Sequence, residues 1–265
     1  MTEEQKAVLH EQDLQRLSEF RLMDDDFLSA FFRDNIDDTE FILRIILDKP
    51  TLKVKSVHVQ HEIKNLNGRS IRLDVHAVEN NANEIDIEIQ RDDHGAGFKR
   101  ARHNSSLLDA SILKPGQKPE ELPETFVIFI TENDIIGLDE PIYPIDRYIL
   151  VKGNYIPMGD GAHIIYVNGS KQGKKTELEK LMHDFHCVKA DEMYFPQLAK
   201  KMHYYKEDEK GVEIMCRIME DMRNSVRIEI ALSLIGDGKL SLEDIAKHSG
   251  LPLEKIRELA EGKSA

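Results

Sequence analysis

Three polar side chains in two neighbouring strand-like segments have the types and the spacing that could hold a divalent cation. Asp74 lies in the first segment, and Glu88 and Gln90 lie two residues apart in the second. Because alternate residues of a strand project to the same face, Glu88 and Gln90 are expected to point together. Mg²⁺ prefers oxygen ligands and keeps several waters, so one or two carboxylates suffice to hold it. Such a cation neutralises charge and activates a water, which is the chemistry of phosphodiester cleavage.

A β-hairpin is predicted to position these residues. Residues 71–78 and 84–90 alternate apolar and polar side chains, and the polar run from Glu79 to Asn83 between them is typical of a hairpin loop. Asn67-Gly68 predicts a tight turn before the first strand. An exposed edge strand would give the same alternation through solvation alone, so the pattern leaves that alternative open.

A basic helix is predicted directly after the hairpin, at residues 98–113, where Pro115-Gly116 stops it. Lys99, Arg100 and Arg102 in its first turns could contact phosphate groups. A solvated helix surface explains the same charges equally well. If these residues contact DNA, the affinity should fall steeply with salt.

The order of the remaining elements predicts an α/β protein. Strands are expected at 53–60, 124–131, 142–151 and 162–167, with helices between them, and these elements form a domain over residues 1–170. Residues 174–265 are predicted to be a helical C-terminal region, with helices at 174–186 and 192–225. Its end, 228–261, resembles a helix-turn-helix, but the second helix is acidic, so a packing unit is as consistent with the pattern as a DNA reader.

Composition limits the classes of function. The 265 residues carry a formal net charge of −13, which argues against a protein that coats nucleic acid broadly. Two cysteines, Cys187 and Cys216, do not make a disulfide framework, which favours a reducing compartment. The sequence contains no signal peptide and no apolar run of membrane length, so we expect a cytoplasmic protein that does not bind a membrane. No glycine-rich phosphate-binding motif is present, so no nucleotide cofactor is expected.

A second group of side chains has the spacing of a transition-metal site. His183, His186 and Cys187 lie one helical turn or less apart. No second pair of ligands with suitable spacing accompanies them, and a partly buried helix surface is the favoured interpretation.

The hairpin motif also carries a resemblance to a known family. Asp74, the hairpin and Glu88-Ile89-Gln90, followed by Phe98-Lys99-Arg100-Ala101-Arg102, resemble the PD-(D/E)XK nuclease superfamily, in particular its transposase branch, the recombination-promoting nuclease group. The resemblance covers roughly residues 22–170. It implies a restriction-endonuclease-like mixed sheet flanked by helices, followed by a helical C-terminal region.

The resemblance also implies a set of site residues. Asp74 and Glu88 match the metal-binding acids, which implies Mg²⁺ as the cofactor, and Gln90 stands where the wider superfamily has a lysine. Glu40, in a helix predicted before the first strand, is the candidate for the additional acid that often completes such sites; a solvated helix residue is its alternative explanation.

Two functions follow from these expectations. The first is a Mg²⁺-dependent DNA endonuclease of transposase type, with DNA as its partner; a homodimer is compatible with the sequence. The second is a catalytically decayed nuclease fold that acts as a DNA- or protein-binding module. Gln90 favours the second, because an amide dipole replaces the full charge that a lysine would bring to an anionic transition state.

Overall fold

The structure is a computed structural model that describes residues 3–33, 35–63, 70–90 and 95–262. The turn predicted at Asn67-Gly68 lies outside these residues. The chain forms two compact units. One consists of Arg16–Asp208, and the other of Met1–Gln15 together with Glu209–Ala265. The boundary expected near residues 170–174 falls within the first of these units.

A mixed sheet of six strands lies at the centre of the first unit. The strands of the described chain are β1 (Val54–Ile63), β2 (Ile71–Glu79), β3 (Glu84–Gln90), β4 (Thr125–Thr131), β5 (Ile142–Ile145), β6 (Tyr148–Val151), β7 (Asn154–Pro157) and β8 (Ala162–Asn168). The six-stranded sheet has the order β1-β2-β3-β4-β8-β5. The pairs β3–β4 and β4–β8 are parallel, and the other pairs are antiparallel. The predicted α/β class is confirmed.

Helices flank this sheet and make up the C-terminal part of the chain. They are α1 (Glu3–Glu19), α2 (Asp25–Phe32), α3 (Ile36–Ile46), α4 (Phe98–Ile112), α5 (Glu177–His186), α6 (Pro196–Glu207), α7 (Glu209–Asp237), α8 (Leu242–Ser249) and α9 (Leu253–Gly262). α3 contacts β1, α2 contacts β1 and β2, and α4 contacts β4, β8 and β1. The helix predicted at 192–225 is divided between α6 and α7, because Asp208 adopts an extended conformation that ends α6.

The predicted hairpin is confirmed. β2 and β3 pair antiparallel, with His76 opposite Asp86. At the loop, the Glu79 N–H donates to the Asn83 carbonyl at 2.9 Å, and the Asn83 amide donates back to the Glu79 carboxylate at 2.6 Å. Ala82 has a φ of 70°, which lets the loop close over so few residues.

A kink in β1 changes which side chains share a face. Gln60 has a φ of 52°, which regular strand geometry does not include. As a result His58 and His61, three residues apart, both stack on His76, with ring centroids 6.3 Å and 4.8 Å away. Strict alternation along β1 would have put these two histidines on opposite faces.

A single strand predicted at 142–151 is wrong, since this segment contains two strands in different sheets. β5 pairs with β8, whereas β6 pairs with β7 in a separate two-stranded sheet. Lys152 (φ 48°) and Gly153 (φ 84°) form the two-residue turn between β6 and β7, and two successive positive φ angles match the twist of a hairpin. The pairing of Val151 with Asn154 across this turn therefore reverses the chain.

The second unit has a small apolar core of its own. Ala231 of α7, Ile245 of α8 and Ile256 of α9 are buried together. Ser241 caps α8 by accepting a hydrogen bond from the Asp244 N–H at 3.1 Å. Gly250 ends the helix with a φ of 71°, a left-handed conformation that glycine adopts without steric cost. Three residues, 250–252, therefore separate α8 from α9.

Candidate functional site

The acidic face of β3 is buried. β3 lies between β2 and β4 inside the sheet. The side chains of Asp86 and Glu88 are both 0% exposed. The alternative of a solvated edge strand is therefore wrong, and solvation does not explain why this strand carries acids.

An apolar environment surrounds these two carboxylates. In the parallel register Asp86 lies beside Val127 and Glu88 beside Phe129, and residues paired in this way share a face of the sheet. Val127 and Phe129 belong to a buried cluster that also contains Ala101 of α4. The acids of β3 consequently lie between the sheet and α4, where charge is poorly solvated.

Two side chains of α4 meet the two acids of β3. Arg100 forms an ion pair with Glu88, and the Asn104 amide donates to the Asp86 carboxylate at 3.3 Å. Four residues of helix rise about 6 Å, and two residues of strand rise about 6.6 Å, so the two spacings match. α4 and β3 run in opposite directions at this contact, as a connection between two parallel strands requires.

Asp74 joins the group from β2. Its Oδ2 accepts a hydrogen bond from the Ile89 N–H at 3.2 Å, which fixes the carboxylate against the backbone between Glu88 and Gln90. Asp74 is half-buried, unlike the two acids of β3. The structure therefore brings Asp74 to the Glu88-Ile89-Gln90 segment, as the sequence predicts.

The electrostatics of the cluster are set by burial and by like charge. Burial raises the pKa of Asp86 well above its usual value, and the negative charges of Glu88 and Asp74 raise it further. The Asn104 hydrogen bond and the charge of Arg100 act in the opposite direction. Asp86 Oδ1 is buried and has no hydrogen-bond partner among the described residues. Carboxylate oxygens are the donors that a hard divalent cation prefers, and a bound cation would favour the charged form of Asp86.

Gln90 lies at the edge of the cluster, over a glycine. A Cβ atom built on Gly95 would lie 1.8 Å from Gln90 Oε1 and 2.9 Å from Gln90 Cδ, so the amide occupies the space that a side chain would fill. Arg100 donates to the Gly95 carbonyl at 3.1 Å. Gly95 thus allows Gln90 and Arg100 to lie close together beside Glu88.

Tyr166 of β8 fixes the start of α4. Its hydroxyl donates to the Ala96 carbonyl at 2.9 Å, and its ring stacks on Phe129 with centroids 5.3 Å apart. Burial raises the pKa of Tyr166 to about 12, so the hydroxyl keeps its proton and remains a donor. Sequence reasoning missed this residue, because Tyr166 is 70 residues beyond Ala96 in the chain and no local pattern links it to the hairpin.

The basic residues of α4 divide into two groups. All three are exposed, but Arg100 also forms an ion pair with Glu88. Arg102 borders a pocket of about 420 Å³ whose lining also includes Phe98, Ile145 and Arg147. Lys99 and Arg102 are therefore accessible to a phosphate, and Arg100 is tied to Glu88.

Glu40 has a different set of partners. Its carboxylate forms an ion pair with Arg44, accepts a hydrogen bond from Lys53 Nζ at 2.9 Å and accepts another from the Val54 N–H at 3.0 Å. These contacts fasten α3 to the start of β1. The structure therefore explains Glu40 through its role in anchoring α3.

A stack of three histidines lies next to the acids. His76, opposite Asp86 in the hairpin, packs against His61 and His58 and bonds through Nε2 to Glu84 at 2.8 Å. Burial and the neighbouring imidazoles lower the pKa of His61. The sequence contains these histidines, but the kink at Gln60 that brings them together has no simple sequence signal.

Comparison with family models, with curated proteins and with solved structures gives no match to this chain. Within the described residues, none of the helices combines the length and the apolar character of a membrane span.

Proposed function

We propose that the chain is a Mg²⁺-dependent DNA endonuclease of the PD-(D/E)XK type, with its active site at the carboxylate cluster under α4. The observation that carries the proposal is the burial of Asp86 and Glu88 beside Asp74. Burying like charges together costs free energy, and a protein gains nothing in stability from such an arrangement. Strongly perturbed acids in a confined site are characteristic of functional sites.

The donor set of the cluster fits Mg²⁺. Asp74 and Glu88 would hold the ion, and Asp86 supplies a further carboxylate with the unpartnered atom Oδ1. When bound, the ion supplies charge neutralisation and an activated water. Gln90 orients the water or the scissile phosphate through its amide.

The other residues of the site have supporting roles. Lys99 and Arg102 are placed on the exposed side of α4, where they attract the DNA backbone. Arg100 balances the charge of Glu88 and, being 41% exposed, also reaches the surface where a phosphate would approach. Glu40 has no part in this proposal, because its carboxylate already serves Arg44, Lys53 and the backbone of Val54.

A second function, a decayed nuclease fold that binds DNA or a protein, is favoured by one specific observation. The Arg100 guanidinium forms an ion pair with Glu88, where a nuclease of this type would need its metal ion. A protein cation can replace a metal ion as the counter-charge of buried acids. In that case the chain keeps the architecture of the site without its chemistry.

A magnesium titration separates the two functions. Calorimetry on the wild type is expected to show saturable Mg²⁺ binding that Glu88→Gln removes, because the substitution deletes the ligand charge and keeps the shape of the side chain. Glu62→Gln, at an exposed carboxylate of β1, is the matched control and should bind as the wild type does. If the wild type binds no Mg²⁺, the endonuclease proposal is contradicted and the decayed module is the proposal that remains.

A further inference from the structure

A second cluster of metal-ligating side chains lies at the end of α5, away from the acids of β3 in the sequence. His183, Asp184 and Cys187 each offer one donor atom, and these three atoms lie within 4.8 Å of one another. His183 Nδ1 is 3.3 Å from Asp184 Oδ1 and 3.5 Å from Cys187 Sγ. Three side chains of different donor type, all at the C-terminal end of α5, thus lie together in one small volume.

The two separations measured from His183 Nδ1 match those of a tetrahedral zinc site. Zn–N and Zn–O bonds of about 2.0–2.1 Å at tetrahedral angles put the two donor atoms roughly 3.3 Å apart, and a Zn–S bond of about 2.3 Å puts sulfur roughly 3.5 Å from nitrogen. We propose that His183, Asp184 and Cys187 bind Zn²⁺, with a water molecule as the fourth ligand. The donor set of one thiolate, one imidazole and one carboxylate suits Zn²⁺ better than Mg²⁺, which avoids sulfur.

The carboxylate of this site is held in place by the backbone of the following segment. Asp184 is 0% exposed, and it accepts hydrogen bonds from the Tyr194 N–H at 2.7 Å and from the Phe195 N–H at 2.9 Å. Metal-binding carboxylates are commonly oriented by hydrogen bonds of this kind. Because Phe195 is the N-cap of α6, an ion at Asp184 would also join the end of α5 to the start of α6.

The imidazole of the site is oriented by packing and reached from solvent. The ring of His183 lies 4.5 Å from the ring of Tyr194 between centroids. The His183 side chain is 30% exposed, which provides an entry path for an ion. Cys187, by contrast, is buried, so its thiolate would be shielded from oxidants.

The ligands that the structure brings together differ by one residue from those that the sequence pattern suggested. His186 Nδ1 hydrogen-bonds to the Met182 carbonyl at 2.7 Å, a contact within α5 that turns this nitrogen to its own helix. Asp184 supplies the third ligand instead. The sequence pattern of His183, His186 and Cys187 lacked this carboxylate, and adjacent residues of a helix are not normally expected to act together.

Zinc binding exchanges a proton for the metal ion. Burial raises the pKa of the Cys187 thiol to about 12, and the charges of Asp184 and Glu192 contribute, so the free thiol is protonated at neutral pH. On binding, the S–H bond breaks, the Zn–S bond forms, and the proton passes to the solvent. No oxidant or reductant takes part in this exchange.

The test uses Co²⁺ as a spectroscopic substitute for Zn²⁺ on the full chain. Wild-type protein is expected to develop a thiolate-to-cobalt charge-transfer band that Zn²⁺ abolishes by displacement. Cys187→Ala should lose the band, and His183→Gln should weaken Co²⁺ binding by at least about tenfold. Cys216→Ala, which removes the other cysteine, is the control and should keep the band.

Two measurements protect the test against a variant that fails to fold. Circular dichroism of each variant establishes that the helices are intact, and His183→Gln alters a partly exposed side chain that tolerates substitution better than a buried thiol. The proposal is overturned if wild-type protein gives no charge-transfer band, or if the band and the affinity survive in folded His183→Gln. Because Mg²⁺ gives no such band, this result is independent of the cleavage activity at Asp74 and Glu88.

Discussion

The guanidinium of Arg100 in α4 forms an ion pair with the completely buried carboxylate of Glu88 in β3. The acid lies in the apolar layer under the helix, whereas the arginine is 41% exposed. The charge of Glu88 is therefore balanced by a side chain that reaches the surface. This relationship separates the two proposed functions, since a metal ion shares the counter-charge of Glu88 with Arg100 in one, whereas Arg100 replaces the metal ion in the other.

Removing Arg100 should destabilise the metal-free chain. Arg100→Ala leaves Glu88 buried with less compensating charge. Because one partner of this ion pair is exposed and the other is buried, the loss in free energy of unfolding should lie between the losses for exposed and for buried pairs, at about 1–3 kcal/mol. Urea denaturation in EDTA measures this loss, and Mg²⁺ should restore part of it. Lys99→Ala, at the exposed neighbouring position, should leave the midpoint unchanged. An unchanged midpoint for Arg100→Ala would show that Glu88 does not depend on the arginine.

The raised pKa of Asp86 predicts how stability depends on pH. The folded chain holds this proton more tightly than the unfolded chain, so between the unfolded and folded pKa values the stability falls as the pH rises. The stability that this proton contributes is fully present below the pKa that Asp86 has in the unfolded chain. It is lost as the pH rises through the pKa that Asp86 has in the folded chain, by at most about 1.4 kcal/mol for each pH unit. Asp86→Asn, which keeps the shape without the charge, should remove this part of the pH dependence.

The pH dependence is measured by urea denaturation in EDTA over a series of pH values. Glu62→Gln, at an exposed carboxylate on β1, should retain the wild-type slope and serves as the control. A slope in Asp86→Asn equal to that of the wild type would mean that Asp86 ionises normally in the folded chain.

A pair of glycines tests the position of the Gln90 amide. Gly95→Ala places a Cβ 1.8 Å from Gln90 Oε1 and so displaces the flexible end of that side chain, while Gly97→Ala has nothing within 4 Å. Gly95→Ala is expected to lower the rate of DNA cleavage by at least about tenfold with little change in Mg²⁺ affinity, because the positioning group moves and the ligands stay. Single-turnover cleavage gives the rate. Equal cleavage rates for Gly95→Ala and Gly97→Ala would show that the position of the Gln90 amide does not affect cleavage.

The exposed cations of α4 predict a salt effect on DNA binding. Lys99→Ala and Arg102→Ala should each weaken binding and should each reduce the slope of log affinity against log salt by about one unit, as expected for a lost phosphate contact. Fluorescence anisotropy with a catalytically inactive Asp74→Ala background provides the affinities. Lys118→Ala, beyond the opposite end of α4, should leave the slope unchanged. Identical slopes for all three would place the DNA elsewhere.

Local sequence patterns predict most of the strands of the sheet, but they do not predict the burial of acids between the sheet and α4. The alternation in residues 71–90 and the polar loop at Glu79 predict the β2–β3 hairpin, and the loop hydrogen bonds between Glu79 and Asn83 show why it closes there. Asp86 lies two residues before Glu88 and so points to the same face of β3, which means that the sequence pattern already places a third acid beside Asp74 and Glu88. Its burial is a property of the β3–β4 pairing, which joins segments more than 30 residues apart.

Other features depend on contacts that no local pattern encodes. The match of Arg100 and Asn104 to Glu88 and Asp86 follows from the helix packing over the strand, and the Tyr166 bond to Ala96 spans 70 residues. The segment 142–151 divides between Ile145, where β5 ends, and Tyr148, where β6 begins, and β6 pairs with β7 through the Lys152-Gly153 turn with its two positive φ angles. A lysine in the left-handed region is uncommon, so propensity alone gives little indication of a hairpin at this position.

Cleavage of supercoiled plasmid DNA tests the central claim most directly. Wild-type protein with Mg²⁺ is expected to nick or linearise the plasmid, EDTA should stop the reaction, and Asp74→Ala, folded by circular dichroism, should be inactive. Asp74 is the variant of choice because it is half-buried and its removal leaves the Glu88–Arg100 pair intact. Cleavage by Asp74→Ala at the wild-type rate, or no Mg²⁺-dependent cleavage by the wild type, would contradict the assignment of the nuclease site to this cluster.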